Sequence, residues 1–179
     1  VRTVTAAVAQ TFAGQANAED YRHVLSHVPT SVSVITAMTE NGPAGMTVGT
    51  FTSVSLDPPL VAFYVDLGST TWPVLAEADH FGINVLGAHA GDLCRAFARR
   101  GAERFLGVEW SPSGHGVPWL SDAIVSIDCS PHSVDRIGDH LHVVGRVEAI
   151  AQQRSDEPLI FLRGGFVDMS AIADRGVDR

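Results

Sequence analysis

The chain alternates short blocks of β-branched and aromatic residues with breaks rich in Gly, Pro and Asn, a pattern that predicts strands joined by turns. Asn17, followed by Glu19 and Asp20, starts a helix in which Tyr21, Val24, Leu25 and Val28 recur at helical spacing; Pro29 ends it. Val32, Val34 and Ile35 form a β-branched strand that turns back at Glu40-Asn41-Gly42. The return strand is the stretch Pro43 to Leu60, P-A-G-M-T-V-G-T-F-T-S-V-S-L-D-P-P-L. Leu60 to Val65 is continuously apolar and reads as a strand buried on both faces, followed by a loop from Asp66 to Thr71.

Trp72-Pro73 opens a short helix, with proline tolerated in its first turn. Phe81 to Leu86 is the next strand, and Gly91 to Arg99 a second helix with Leu93, Cys94 and Phe97 on one face. Arg100 to Pro118 reads as a long polar loop, anchored by Trp110 and Trp119; a loop of that length is usually functional. Ala123 to Ser130 and His140 to Ile150 are strands around a turn at Gly138, and Pro158 to Leu162 is a last strand. About seven strands with irregularly placed short helices predict a mainly β fold, a closed or nearly closed antiparallel barrel. One domain is expected over 19–168, with a weakly patterned segment at 1–18 and a frayed tail at 169–179.

Composition narrows the function. The apolar fraction of 45% against 18% charged residues describes an ordinary globule. The net charge of −8 and the lack of a basic stripe argue against nucleic acid, which needs clustered cations. No secretory leader pattern and no bilayer-length apolar run are present, so a cytoplasmic location and no membrane are expected. Cys94 and Cys129 lack metal or redox spacing and read as buried thiols. His23 and His27 have the spacing of a metal pair, but no third ligand lies near them in sequence, and no metal is expected.

Candidate chemistry gathers in Pro43 to Leu60. Thr47, Thr50, Thr52, Ser53 and Ser55 beside Gly45 and Gly49 suit a segment whose backbone and hydroxyls approach a polar ligand; a Thr-rich edge strand is the plainer alternative. Nucleotide-binding glycine loops, zinc-protease helices and serine-nucleophile elbows are missing.

The ordered motifs P-x-G-x-T with F-T-S-V-S-L-D-P-P-L, S-T-T-W-P from Ser69, F-G-I-N-V-L from Phe81, A-F-A at Ala96, R-F-x-G-V-x-W at Arg104, G-D-H at Gly138 and R-G-G-F at Arg163 carry a resemblance. From about Tyr21 to Phe166 the chain resembles the flavin reductases that supply reduced flavin to two-component monooxygenases. The resemblance implies an FMN-binding split barrel of six antiparallel strands that forms a homodimer with flavin near the interface. It implies an NAD(P)H:flavin oxidoreductase using NADH or NADPH with FAD or FMN, and a partner monooxygenase. The alternative is a split barrel that binds flavin without turnover, as a carrier or sensor.

By the same resemblance, Pro43, Ala44, Gly45, Met46 and Thr47 would lie along the isoalloxazine, and the backbone of Gly45 to Val48, with Gly49, would meet its polar edge. Thr50, Thr52 and Ser53 would serve the ring edge or ribityl chain, with Tyr64, Val65 and Asp66 at the same barrel end. Ser69, Thr70 and Thr71 would receive phosphate before a helix, or simply cap it. Asn84, a polar break in an apolar strand, would turn its amide to the flavin. Ala96, Phe97, Arg104 and Phe105 would close over the flavin's far end, where one of Arg99, Arg100 and Arg104 meets a phosphate. His140 would orient the nicotinamide through a hydrogen bond, and Arg163, Gly164, Gly165 and Phe166 would face the pyridine nucleotide. Phe166 stands where Tyr is common in the family, so stacking survives there but a phenol hydrogen bond does not.

Overall fold

The computed structural model describes residues 17–99, 101 and 103–167; the expectations for 1–16, Arg100 and the tail from 168 lie outside the described residues. In chain order the elements are α1 (Ala18–Leu25), β1 (Thr30–Ser31), β2 (Ser33–Thr39), β3 (Gly42–Val48), β4 (Thr52–Leu56), β5 (Pro59–Asp66), α2 (Trp72–Leu75) and β6 (Phe81–Leu86). There follow α3 (Gly91–Ala98), β7 (Trp110–Pro112), β8 (Pro118–Leu120), β9 (Ala123–Ile137), β10 (His140–Gln152), β11 (Ile160–Leu162) and β12 (Gly165–Val167).

The main antiparallel sheet has the order β3-β2-β6-β9-β10-β5-β4, seven strands where the resemblance implied six. Pro43 to Leu60 is therefore not one return strand. It splits into β3 and β4, which lie at opposite ends of the strand order. Four residue steps from Val48 to Thr52 span at most about 14 Å. Laid flat, seven strands would hold their edges about 29 Å apart. The sheet must curl until its two edges meet. Where β4 stops pairing with β5, the Thr50 hydroxyl takes over: the amide of Tyr64 donates to Thr50 Oγ1 at 2.9 Å, and that hydroxyl lies 3.3 Å from the Tyr64 carbonyl.

Alternation along the strands gives the curl two faces. The cross-strand row Ile35–Ile83–Ile127 belongs to the barrel core, where Phe63 meets Trp72 and Phe81 edge-on at 5.7 Å each. Such aromatic pairs contribute about 0.5–1.5 kcal/mol each beyond the area they bury. The opposite face, with Val34 and Leu86, packs under Cys94 and Phe97 of α3. Gly45 makes this packing possible, since a Cβ there would lie 2.7 Å from Phe97 Cε1 and 2.9 Å from the Ile35 carbonyl.

The supposed loop Arg100–Pro118 contains half of a hairpin, β7 paired with β8. Asn17 caps α1 as expected, accepting from the amides of Glu19 and Asp20 at 3.0 and 2.9 Å. The helical row Tyr21, Val24, Leu25 and Val28 is exposed, so it is no core stripe among the described residues. Cys94 and Cys129 are free and buried, as expected. None of the described helices is long and apolar enough to cross a membrane.

Candidate functional site

At the far end of β3 the chain leaves the sheet edge, and an edge strand presents backbone N–H and C=O groups without ladder partners. A groove of ≈ 460 Å³ opens there. Its floor is Met46 to Thr50, and Tyr64, Val65 and Asp66 at the exit of β5 form one side. Ser69, Thr70 and Thr71 form the next, and Phe97, Ala98 and Arg104 complete it. Thr47 ties this floor to α3, its hydroxyl donating to the Cys94 carbonyl at 3.1 Å.

Ser69 is spent as a local brace: its Oγ accepts from the Trp72 amide at 3.2 Å and lies 3.8 Å from Met46 Sδ. The helix it precedes, α2, has only four residues, so its dipole adds little for an anion. The cation of the groove is Arg104. Nη1 donates to the Gly45 carbonyl at 2.6 Å and to Thr71 Oγ1 at 2.8 Å, linking β3 to the loop before α2. Burial pulls the guanidinium pKa below its ordinary value, yet an arginine remains charged near neutrality. Nε is buried without a hydrogen-bond partner. Among the described residues, Ser33, Trp119 and Asp128 also leave a buried polar atom unpaired, but none of them lines this groove.

A second, mostly apolar groove of ≈ 360 Å³ adjoins the first along Thr47, Val48, Gly49 and Ala98. Gly164, Gly165 and Phe166 line it, as does Phe161, whose ring meets Phe166 edge-on at 5.9 Å. Arg95 lies 5.0 Å over the Phe166 ring while Nη1 holds Asp92 at 2.8 Å. Arg163 lines none of these grooves. It occupies the left-handed region at φ 51° in the β11–β12 turn, and its amide donates to Ser26. A third cavity of ≈ 410 Å³ receives Pro43, Ala44, Gly45 and Phe105 and shares Thr70, Thr71 and Arg104 with the first.

Other expected residues stand elsewhere. Asn84 is wholly buried in the row Val34–Asn84–Ser126, and protein groups occupy its amide. Oδ1 accepts from the Leu120 amide at 2.9 Å and the Ser126 hydroxyl at 3.0 Å, and Nδ2 donates to Thr36 Oγ1 at 3.0 Å. The expectation that it turns to a flavin is overturned: its partners are strands β2, β8 and β9. Thr52 and Ser53 sit exposed on β4, and Ala96 is half-buried on α3; none lines the three grooves. His140 begins β10 directly opposite Asp66, at the end of the first groove. Its Nδ1 lies 2.7 Å from Asp139 Oδ1, and that hydrogen bond holds the Asp139 carboxyl below the usual range. It does not share a groove with Phe166, so the two expected nicotinamide contacts are not brought together within this chain. Of the three candidate arginines, Arg104 lines the groove, Arg99 is exposed outside the grooves, and Arg100 lies outside the described residues.

Sequence reasoning missed Ala98, Arg95 and Phe161. The signal for Phe161 was present: R-G-G between apolar residues is a hairpin turn, which sets Phe161 opposite Phe166. Ala98 closes the A-F-A motif, and Arg95 stands three residues before it on the same face of α3.

Comparison with known proteins adds a second line. Residues 25–170 match the domain described as flavin reductase like. The chain is 42% identical over 153 residues to a flavin reductase of Pseudomonas putida, spanning 85% of this chain and 90% of that protein. It is 35% identical over 146 residues to HsaB, the reductase subunit of a flavin-dependent monooxygenase of Rhodococcus jostii, spanning 82% and 75%. The crystal structure of nitrilotriacetate monooxygenase component B from Mycobacterium thermoresistibile aligns with a TM-score of 0.80 at 33% identity, covering 83% of this chain and 84% of that one.

Proposed function

The chain belongs to the flavin reductase family, and from that premise we propose that it is an NAD(P)H-dependent flavin reductase passing reduced FAD or FMN to a partner monooxygenase. The observation that carries this reading is the Arg104 guanidinium, fixed by two protein hydrogen bonds at the end of a groove floored by strand-edge backbone and threonines. A flavin nucleotide offers a planar ring with a polar edge, a hydroxylated chain and a phosphate, and these residues fit each part in turn.

Flavin and nicotinamide supply the hydride chemistry between themselves when bound. The protein's work is positioning, so no acid–base pair is required of the groove. Met46 to Gly49 present backbone groups to the ring edge, and Thr50 fixes the wall that carries Tyr64. Arg104 and Thr71 hold the phosphate. His140 bonds the nicotinamide carboxamide at the Asp66 end, and Phe166 with Gly164 and Gly165 offers the pyridine nucleotide an apolar face.

The exposed row Tyr21, Val24, Leu25 and Val28 supports a homodimer in which a second copy covers it. The two free buried thiols support a cytoplasmic location. The test of function is steady-state NADH or NADPH oxidation by purified protein with FAD or FMN, followed by transfer of reduced flavin to an oxygenase. Flavin retained without turnover would replace an enzyme with a carrier. Sedimentation of the wild type against Leu25→Glu tests the dimer, which the variant weakens.

A further inference from the structure

With the flavin ring on Met46 to Thr50 of the first groove, the third cavity, which Pro43, Ala44 and Gly45 line, is left without an occupant. Thr70, Thr71 and Arg104 line both the flavin groove and this cavity, so the two spaces adjoin at the guanidinium. A single phosphate at Arg104 would finish there, leaving ≈ 410 Å³ beyond it unfilled. Each space alone lies toward the lower end of the roughly 300–1,000 Å³ usual for small-molecule sites. Pro43, Val74 and Phe105 give the cavity apolar walls suited to the face of a heterocycle. Asn41 stands at its edge, and a carboxamide can both donate to and accept from the edge of adenine. No carboxylate is among its described lining residues, so nothing there repels a pyrophosphate.

We propose that this cavity takes the adenosine half of FAD, with Arg104 at the pyrophosphate, and that the chain is thereby selective for FAD over FMN. The inference rests on the flavin reductase reading and names the flavin for it. Arg104 is suited to the junction. Its two Nη1 hydrogens already fasten β3 to the loop before α2, and the positive charge so fixed where the two spaces adjoin suits a pyrophosphate placed there.

The experiment compares kcat/KM for FAD, FMN and riboflavin with NADH, in the wild type and in Val74→Trp. Val74 is 40% exposed on α2, so the larger ring enters the cavity without displacing core. The wild type is expected to prefer FAD to FMN by about tenfold, mainly through KM, and Val74→Trp to bring that ratio close to one. Equilibrium binding of FAD and FMN to the wild type, followed by flavin fluorescence, should give the same order without any variant. Equal use of FAD and FMN by the wild type overturns the inference and leaves the reductase standing. Equal losses for both flavins in the variant, or a raised KM for NADH in place of FAD, overturn it too; the latter assigns the cavity to the nicotinamide dinucleotide's adenosine. No NADH oxidation with any flavin overturns the reductase reading and this inference with it.

Discussion

Asn84 and Arg104 both hold polar atoms away from water, and they do so in opposite ways. Around Asn84 the accounts are closed: each amide end has partners on neighbouring strands. Around Arg104 they are open, because two bonds fix the guanidinium in place and a buried nitrogen remains unpaired. Residue type and burial alone would rank the amide as the better ligand contact. Completeness of hydrogen bonding reverses the ranking, since a satisfied buried group has nothing left to offer and an unsatisfied one is costly until something binds.

The strongest way to break this contrast is Asn84→Ala. It strands the Leu120 amide and the Ser126 hydroxyl, and should lower unfolding free energy by about 2–4 kcal/mol with flavin KM unchanged in the folded protein. Stability retained alongside a large rise in flavin KM would return Asn84 to the site. Arg104→Gln should shift the balance toward binding, raising flavin KM roughly 10- to 100-fold because a charge-assisted bond to phosphate is lost, while the loss of its bonds to Gly45 and Thr71 lowers the denaturant midpoint less than Asn84→Ala does.

Cys129 sharpens the closed side. Burial, reinforced by Asp128 and Glu148, raises its thiol from the ordinary 9.0 to about 12. Between those values the unfolded chain has lost a proton that the folded chain keeps, so stability falls as pH rises. The slope is about 1.4 kcal/mol per pH unit, with no contribution below pH 9. Urea melts across that window should show the decline, and Cys129→Ala should reduce it, leaving the part due to Cys94, whose thiol burial also raises. The smallest effect belongs to the open side: His140→Ala should raise KM for NADH roughly 2- to 12-fold, the loss of one ordinary hydrogen bond, with flavin KM unchanged. The opposite split would assign His140 to the flavin.

The strands were legible because their signals are local. Val34 and Ile35, the Glu40-Asn41-Gly42 turn, Phe81 to Leu86 and the Gly138 turn announce themselves over a few residues. What stayed hidden depends on neighbours that periodicity does not name. Pro43 to Leu60 reads as one strand because nothing in its composition says that its halves pair at opposite ends of the sheet. The Trp110–Leu120 hairpin reads as loop because its Gly and Pro outweigh a three-residue strand on each side. Tyr21, Val24, Leu25 and Val28 have the spacing of a buried stripe, yet no described element lies over them. Family motifs located the Thr-rich wall, but that Arg104 reaches it from a distant loop depends on how the chain folds.

The Thr50 hydroxyl has a consequence for how the molecule breathes. Along most of the barrel, parting two strands means breaking a ladder, whereas at Tyr64 it means releasing one side chain. The cheapest opening thus coincides with the mouth through which a ring must enter. Deuterium should reach the Tyr64 amide sooner than its neighbours in β5, and an arriving ligand should slow that uptake by holding the latch shut.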